Sequence, residues 1–334
     1  MPENNTAPCS APCLQATALN TVEIKQRELG ELPPGHCRVK TELSMVSTGT
    51  ELHTIQGTHT QHRPFPRSTG YIALGHIVGI GEGVEGLALG QRVLSPFAHL
   101  ALIDVPAGRL KGVPEGIPST DAVCTVLLGI SIRGVRAAKV QLGDSVAVFG
   151  AGVIGAFATH LAKLSGGCPV IAVDPVAARR EVARKMGADV VIDPASEGAR
   201  ERIMEITGGV GVRAAIEATA TTRVIGSLPA LTARQGRIIV LGGIHGKVEL
   251  DLYTFFQKSD QRMIGCGAAH SDDFPYCDDE ANRDAILRMM QAGMIRPGPV
   301  VTHRVPYTQG PQMYRMLIEE KDKAIGVQFD WTSA

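Results

Sequence analysis

Gly150-Ala151-Gly152-Val153-Ile154-Gly155 closes the apolar run SVAVF and opens GVIGAFATHLAKLSG, so a glycine-rich turn joins a strand pattern to a helix pattern. At such a junction each glycine has a task. The first makes the tight turn, the second lets a pyrophosphate approach the backbone, and the third lets helix and strand pack closely. Free N–H groups and the positive end of the helix dipole favour an anion there, so Gly150, Gly152, Val153, Ile154 and Gly155 form the expected cradle. Asp174 ends VIAVD at about 20 residues' remove, where a carboxylate hydrogen-bonds the adenosine ribose diol. That carboxylate repels a 2′-phosphate, which makes NAD(H) the expected cofactor. Arg179, just beyond, joins the cofactor set.

A second stretch, GTHTQHRPFPR from Gly57 to Arg67, carries His59, His62, Arg63 and Arg67. Arginine forks bind carboxylate or phosphate bidentately, so the loop suits an anionic substrate. A solvated surface loop accounts for the same composition.

Around these residues the chain reads as two kinds of text. Residues about 36 to 115 are short β-branched runs punctuated by Gly and Pro, as in HCRVKTELSMVSTG and IALGHIVGIGEGV, and predict an irregular β-barrel-like domain. From Asp121 the pattern is helical, and then strand and helix alternate: SVAVFG, GVIGAFATHLAKLSG, PVIAVD, VAARREVARKMGA, DVVIDP, SEGARERIMEITGG, AAIEAT, TRVIGSLPALTARQG, RIIVLGG. That alternation predicts parallel strands joined by right-handed crossovers, a doubly wound sheet. The fold class is therefore α/β.

Composition bounds the function. A chain of 334 residues is long enough for two domains, and 44% hydrophobic with 20% charged residues is a globular balance. Lys plus Arg and Asp plus Glu number 33 each, so no global field draws the protein to nucleic acid or an anionic membrane. Seven cysteines without C-x-x-C spacing speak against a disulfide framework and a four-cysteine zinc lobe. The start, MPENNTAPCSAPC, has no basic and apolar leader pattern and reads as a mobile arm, residues 1–15. No apolar run approaches a membrane span, and a cytoplasmic location is expected.

The residues STGTELH at 47 to 53, GYIALGHIVGIGEGVEGLALGQRV at 70 to 93, LLGISIRGV at 127 to 135, and the fingerprint with the segment through VVID at 193 together resemble the medium-chain dehydrogenase/reductase superfamily of the alcohol dehydrogenase type. The resemblance implies a GroES-like β-barrel catalytic domain at 16–127 and 266–334, split by a Rossmann domain at 128–265, and a homodimer. Zinc-dependent members carry Cys-x-Ser/Thr-Asp-x-His, Gly-His-Glu and a third ligand near the domain junction. Aligned on them, this chain has Thr48, Tyr71 and a residue near Ile130 at the ligand positions. Such side chains do not replace thiolate, imidazole and carboxylate around Zn²⁺, so no metal is expected. Thr50 falls on the family's hydroxyl relay position and His53 on the histidine that passes the proton on. Tyr71 is the candidate to take over the metal's polarising role, with Glu51 orienting the loop and Thr48 facing substrate.

These assignments imply a zinc-independent, NAD(H)-linked enzyme interconverting a secondary alcohol and a ketone. The Ser-Thr-Gly-Thr-Glu run, the Gly-Tyr pair and the closing FDW are also similar to the bacteriochlorophyllide hydroxyethyl dehydrogenase branch. The alternatives are a zinc-free quinone or enone reductase using NADPH, and a non-catalytic NAD(H)-binding protein.

Overall fold

A computed structural model describes residues 4–58, 64–95, 97–196, 198–244, 246–267 and 279–334. The chain divides into two compact units, residues 1–126 with 289–334 and residues 127–288. In chain order the first unit opens with β1 (Cys9–Ala18), β2 (Thr21–Leu29), β3 (His36–Met45), α1 (Thr48–Ile55), β4 (Arg67–Ser68) and β5 (Ala73–Ile80). It continues with β6 (Arg92–Ser95), β7 (Leu102–Pro106), β8 (Lys111–Gly112) and the single-turn α2 (Ser119–Ala122). Next come α3 (Thr125–Ala138), β9 (Val146–Phe149), α4 (Val153–Leu164), β10 (Val170–Val173), α5 (Ala177–Lys185), β11 (Val190–Ile192) and α6 (Ala199–Ile206). They are followed by β12 (Val212–Glu217), α7 (Thr222–Ser227), β13 (Thr232–Val240), β14 (Arg262–Gly265) and α8 (Asp279–Gln291). The chain then supplies β15 (Val301–Pro306), α9 (Gly310–Glu319) and β16 (Gly326–Asp330) to the first unit.

In the second unit β9 and β10 read VAVF and VIAV and are buried at every position. A strand apolar on both faces belongs in a parallel sheet covered on both sides. The six strands follow the order β11-β10-β9-β12-β13-β14, all parallel. The order reverses between β9 and β12, which is the switch point where such sheets hold ligands beyond their carboxyl ends. The expected helix TRVIGSLPALTARQG is shorter than its pattern. α7 ends at Ser227, a 3₁₀ turn containing Pro229 follows at Leu228–Leu231, and β13 begins at Thr232.

The first unit has an antiparallel sheet β2-β1-β4 and a mixed sheet β15-β16-β3-β5-β6-β8, with β7 also pairing β3. The expected barrel is corrected here: among the described residues the hydrogen-bonded path stays open between β15 and β8. The expected arm also differs, because from Cys9 onward it is β1, paired with β2 from Cys9↔Leu29 to Ala18↔Thr21. Ala11, Cys13, Leu14 and Ala16 of that strand are buried, and three of them join a core with Val46, Met313, Tyr314, Phe329 and Trp331.

The boundary between units lies at 288/289 rather than 265/266. α8 explains the shift: Arg136 of α3 bonds the fully buried Asn282, and Arg133 Nη1 stands 3.4 Å from Asp279 Oδ1. No described helix is long and apolar enough to cross a membrane.

Candidate functional site

In the first unit, segments far apart in sequence meet around one carboxylate. Ser47 precedes α1, yet its side chain makes no capping bond; its N–H donates to Glu51 Oε1 at 2.7 Å. This is the reach-back half of a capping box, one residue late. The other oxygen, Oε2, accepts from the Tyr314 hydroxyl on α9 and lies 3.1 Å from His99 Nε2. Glu51 is 3% exposed and His99 fully buried. A carboxylate survives such burial only where donors replace its water.

Trp331 orders the rest of the chain of bonds. Its indole Nε1–H, a donor only, gives to Ser44 Oγ at 2.8 Å, and Ser44 Oγ lies 2.7 Å from His99 Nδ1. Ser44 Oγ accepts from Trp331, and since the Glu51 carboxylate can only accept, the His99 nitrogen that faces it, Nε2, is the donor. Burial, and after it the Glu51 charge, holds the Tyr314 phenol well above its ordinary value, so Tyr314 remains a donor at neutral pH. Phe329 meets the His99 ring edge-on at 5.1 Å.

Gly70 explains how Tyr71 reaches this group. Its φ of +78° belongs to the left-handed region, and a Cβ there would come within 2.5–2.7 Å of three His99 ring atoms. The backbone thus crosses the imidazole closely, and Tyr71, half-buried, donates its hydroxyl to Ser47 Oγ at 2.7 Å.

The other expected residues spread along α1. Thr48 is its first residue, with Oγ1 buried and without a hydrogen-bond partner. Thr50 is exposed and its carbonyl accepts the Thr54 hydroxyl at 3.0 Å. His53 is one turn on, with Nδ1 2.8 Å from Thr58 Oγ1. Arg67 stacks on Phe65 at 4.0 Å, while His59, His62 and Arg63 lie outside the described residues. Sequence alone assigns no role to Ser44, Ser47, His99, Tyr314 or Trp331, although Ser47 and Trp331 lie within STGTELH and the closing FDW. Only Ser47, a capping residue type ahead of a helix with an acid one turn on, left a local signal.

In the second unit the fingerprint has the geometry its spacing predicts. Gly150 has φ +90° and packs against Ala218 and Thr219, which follow β12. A Cβ on Gly155 would overlap the Gly150 carbonyl oxygen, whereas one on Gly152 would meet nothing within 4 Å. That open space at the uncapped start of α4, where Val153 and Ile154 begin the helix, is a cradle a side chain would fill. Asp174 is 3% exposed; Oδ2 accepts from Ala151 N and Oδ1 from Val176 N, each at 2.8 Å. Arg179 Nη1 stands 4.0 Å from Oδ2, and Arg180 donates to the Asp174 carbonyl at 2.7 Å while pairing with Asp193. Glu217, fully buried at the end of β12, accepts from Thr219 N at 2.6 Å.

A family model described as zinc-binding dehydrogenase matches residues 153–282. L-threonine 3-dehydrogenase of Pyrococcus furiosus is 27% identical over 84% of this chain and 87% of its own length. An alcohol dehydrogenase of Cupriavidus necator is 27% identical over 92% and 94%. A solved structure from Escherichia coli CFT073, described as a short chain alcohol dehydrogenase complexed with NADH, superposes with a TM-score of 0.84 at 20% identity, covering 96% of this chain and 99% of that one. That last likeness shows the fold.

The dinucleotide implied by the fold fits the cradle just described. Zinc takes thiolate, imidazole or carboxylate ligands, and the residues that the resemblance aligns with the family's ligand positions, Thr48, Tyr71 and one near Ile130, offer none of these. Among the described residues no three His, Cys, Asp or Glu side chains gather into a group that could hold an ion. Two dehydrogenases alike along most of this chain, a dehydrogenase family model over residues 153–282 and a fold matched over nearly all of it make the chain similar to the medium-chain dehydrogenase/reductase superfamily of oxidoreductases.

Proposed function

We propose that the protein transfers a hydride between NAD(H) and a secondary alcohol or ketone without zinc. The observation that carries this reading is the hydroxyl pair of Tyr71 and Ser47, 2.7 Å apart, at a position where zinc-dependent relatives place a metal ligand. Hydride leaving an alcohol carbon requires a proton to leave its oxygen, and paired hydroxyls can take that proton and stabilise a developing alkoxide. A bound nicotinamide supplies the hydride acceptor or donor. The open space at Gly152 and the N–H groups opening α4 would hold the pyrophosphate, with Asp174 and Arg179 at the adenosine ribose. Two basic side chains at that ribose, Arg179 and Arg180, are already engaged with Asp174 and Asp193, which supports NAD(H) over its 2′-phosphorylated form.

The test is NAD⁺ reduction by chelator-treated protein across secondary alcohols, including anionic ones as the Arg63 and Arg67 loop suggests. Metal-free turnover is the expected result. Activity lost to chelator and restored by zinc would overturn the reading, and NADH binding with no turnover on any alcohol or ketone would leave a binding protein. Asp174→Ser should weaken NAD⁺ by about tenfold or more, the worth of one hydrogen bond to a charged group, and narrow its advantage over NADP⁺. Competition titrations of the two dinucleotides measure both effects.

A further inference from the structure

Within the proposed dehydrogenase, the two hydroxyls are not equivalent. Tyr71 donates its hydrogen to Ser47 Oγ, so the phenol has spent its proton on the serine. Ser47 Oγ accepts that hydrogen, and among the described residues no acceptor takes the serine's own. The side chain is also released from its usual duty: Glu51 takes the Ser47 N–H, the Ser47 carbonyl accepts the Glu51 N–H at 2.9 Å, and the hydroxyl makes no cap. Ser47 keeps 9% of its surface, and its oxygen sits where α1 begins, at the positive end of the helix dipole.

We propose that Ser47 is the catalytic residue that touches the substrate oxygen, that Tyr71 acts through it as a polarising partner, and that the buried Glu51, His99 and Tyr314 group holds it in place. This rests on the dehydrogenase reading and assigns the proton within it. In ketone reduction a bound nicotinamide would supply the hydride, with its electron pair, to the carbonyl carbon. The carbonyl π pair becomes a lone pair on oxygen, which takes the Ser47 hydroxyl proton. Ser47 Oγ takes the phenol proton of Tyr71, and water returns a proton to the phenolate. Alcohol oxidation runs the same transfers backwards, with both hydroxyls turned about.

A hydroxyl hydrogen-bonded to another donor is a better donor itself, because the first bond polarises the second. The Glu51 carboxylate fixes Ser47 only through its backbone N–H, leaving Oγ uncommitted. Three donors grip that carboxylate, from Ser47 ahead of α1, from α9 and from the segment of His99, so the Ser47 backbone is anchored to the unit's interior.

The experiment compares Ser47→Ala, Ser47→Thr and Tyr71→Phe in the full chain, with a secondary alcohol turned over by the wild type. Ser47→Ala should lower kcat by about 100-fold or more, in the range of a positioned acid–base group. NADH affinity and thermal midpoint should stay at the wild-type values, and Ser47→Thr, which keeps a hydroxyl, should recover most of the loss. Tyr71→Phe should cost about tenfold, and in the Ser47→Ala background it should cost little more, since its effect runs through the serine. Ser47→Ala turning over within twofold of wild type while Tyr71→Phe is dead would overturn the proposal, making the phenol itself the donor and leaving the dehydrogenase reading intact. Additive losses in the double variant would overturn it as well.

Discussion

Glu51→Ala lowers the stability of the first unit by about 4 kcal/mol, the loss expected when one member of a buried, charge-bearing network is removed and its partners are left unpaired. The reason is the set of donors it leaves behind. The Ser47 N–H, the His99 Nε2–H and the Tyr314 hydroxyl all end on this one carboxylate. Alanine cannot accept from any of them, and the site is too buried for bulk water to substitute. Glu51→Gln keeps the shape and one carbonyl oxygen, so its loss should be smaller. The protein carries a convenient reporter, because its one tryptophan, Trp331, belongs to the same network through Ser44. Urea unfolding followed by tryptophan fluorescence therefore reads the first unit, and two-unit chains need such a local probe because a single global midpoint is not defined for them. A Trp331 midpoint that stays put in Glu51→Ala would mean that the carboxylate is not the keystone its geometry indicates.

Dinucleotide binding should be abolished by Gly152→Val while the fold is kept. A Cβ at Gly152 would meet no atom of the protein within 4 Å, so a valine starts into open space. The space it fills is the one a pyrophosphate needs against the α4 N-terminus. A loss of NADH affinity of about 100-fold or more is expected, equivalent to about 3 kcal/mol, with the Trp331 unfolding midpoint unchanged. Gly155→Val gives the contrasting result. Its Cβ would overlap the Gly150 carbonyl, so α4 must move off β9 and the second unit should lose stability together with its ligand. Isothermal titration with NADH and circular dichroism melts separate the two outcomes. Wild-type NADH affinity in Gly152→Val would place the cofactor somewhere other than this turn.

How much of this was legible in the sequence follows from the range of each interaction. The second unit is built from local text: VAVF and VIAV are continuous apolar runs of strand length, and the fingerprint sits between a strand and a helix that each declare themselves. Its parallel strands follow from the alternation of strand and helix. The first unit hides more. CSAPCLQATA looks like an arm because Ser and Pro dilute its alternation, yet its burial against α9 makes it β1. The open sheet path in place of a barrel depends on which strand pairs which, and β3 pairs with three others along its length, a property no periodicity encodes. Around Glu51 the failure is plainer. Residues 44, 47, 51, 99, 314 and 331 come together only after folding, and a lone histidine inside FAHLAL carries no mark of its partner. Resemblance found Glu51 and Tyr71 because each lies in a motif, STGTELH or GYIALGH, and gave no role to Ser47, His99 or Tyr314, which those two bond.

The placement of β16 has a consequence for how the protein is made. It lies between β15 and β3, with Gln328 opposite Met45 and Asp330 opposite Leu43, and Trp331 just beyond it closes the bond to Ser44. On a ribosome β7 takes the first half of this edge of β3 early, but residues 43–45 wait unpaired through the synthesis of the whole second unit before β16 exists. Contacts so distant along the chain form late and slowly, and an exposed strand edge is an invitation to pair with the wrong chain. The intervening unit, whose strands pair with neighbours close in sequence, can finish folding during that wait. Nascent chains halted before residue 326 should accordingly hold a folded nucleotide-binding unit and a first unit that depends on chaperones to stay soluble.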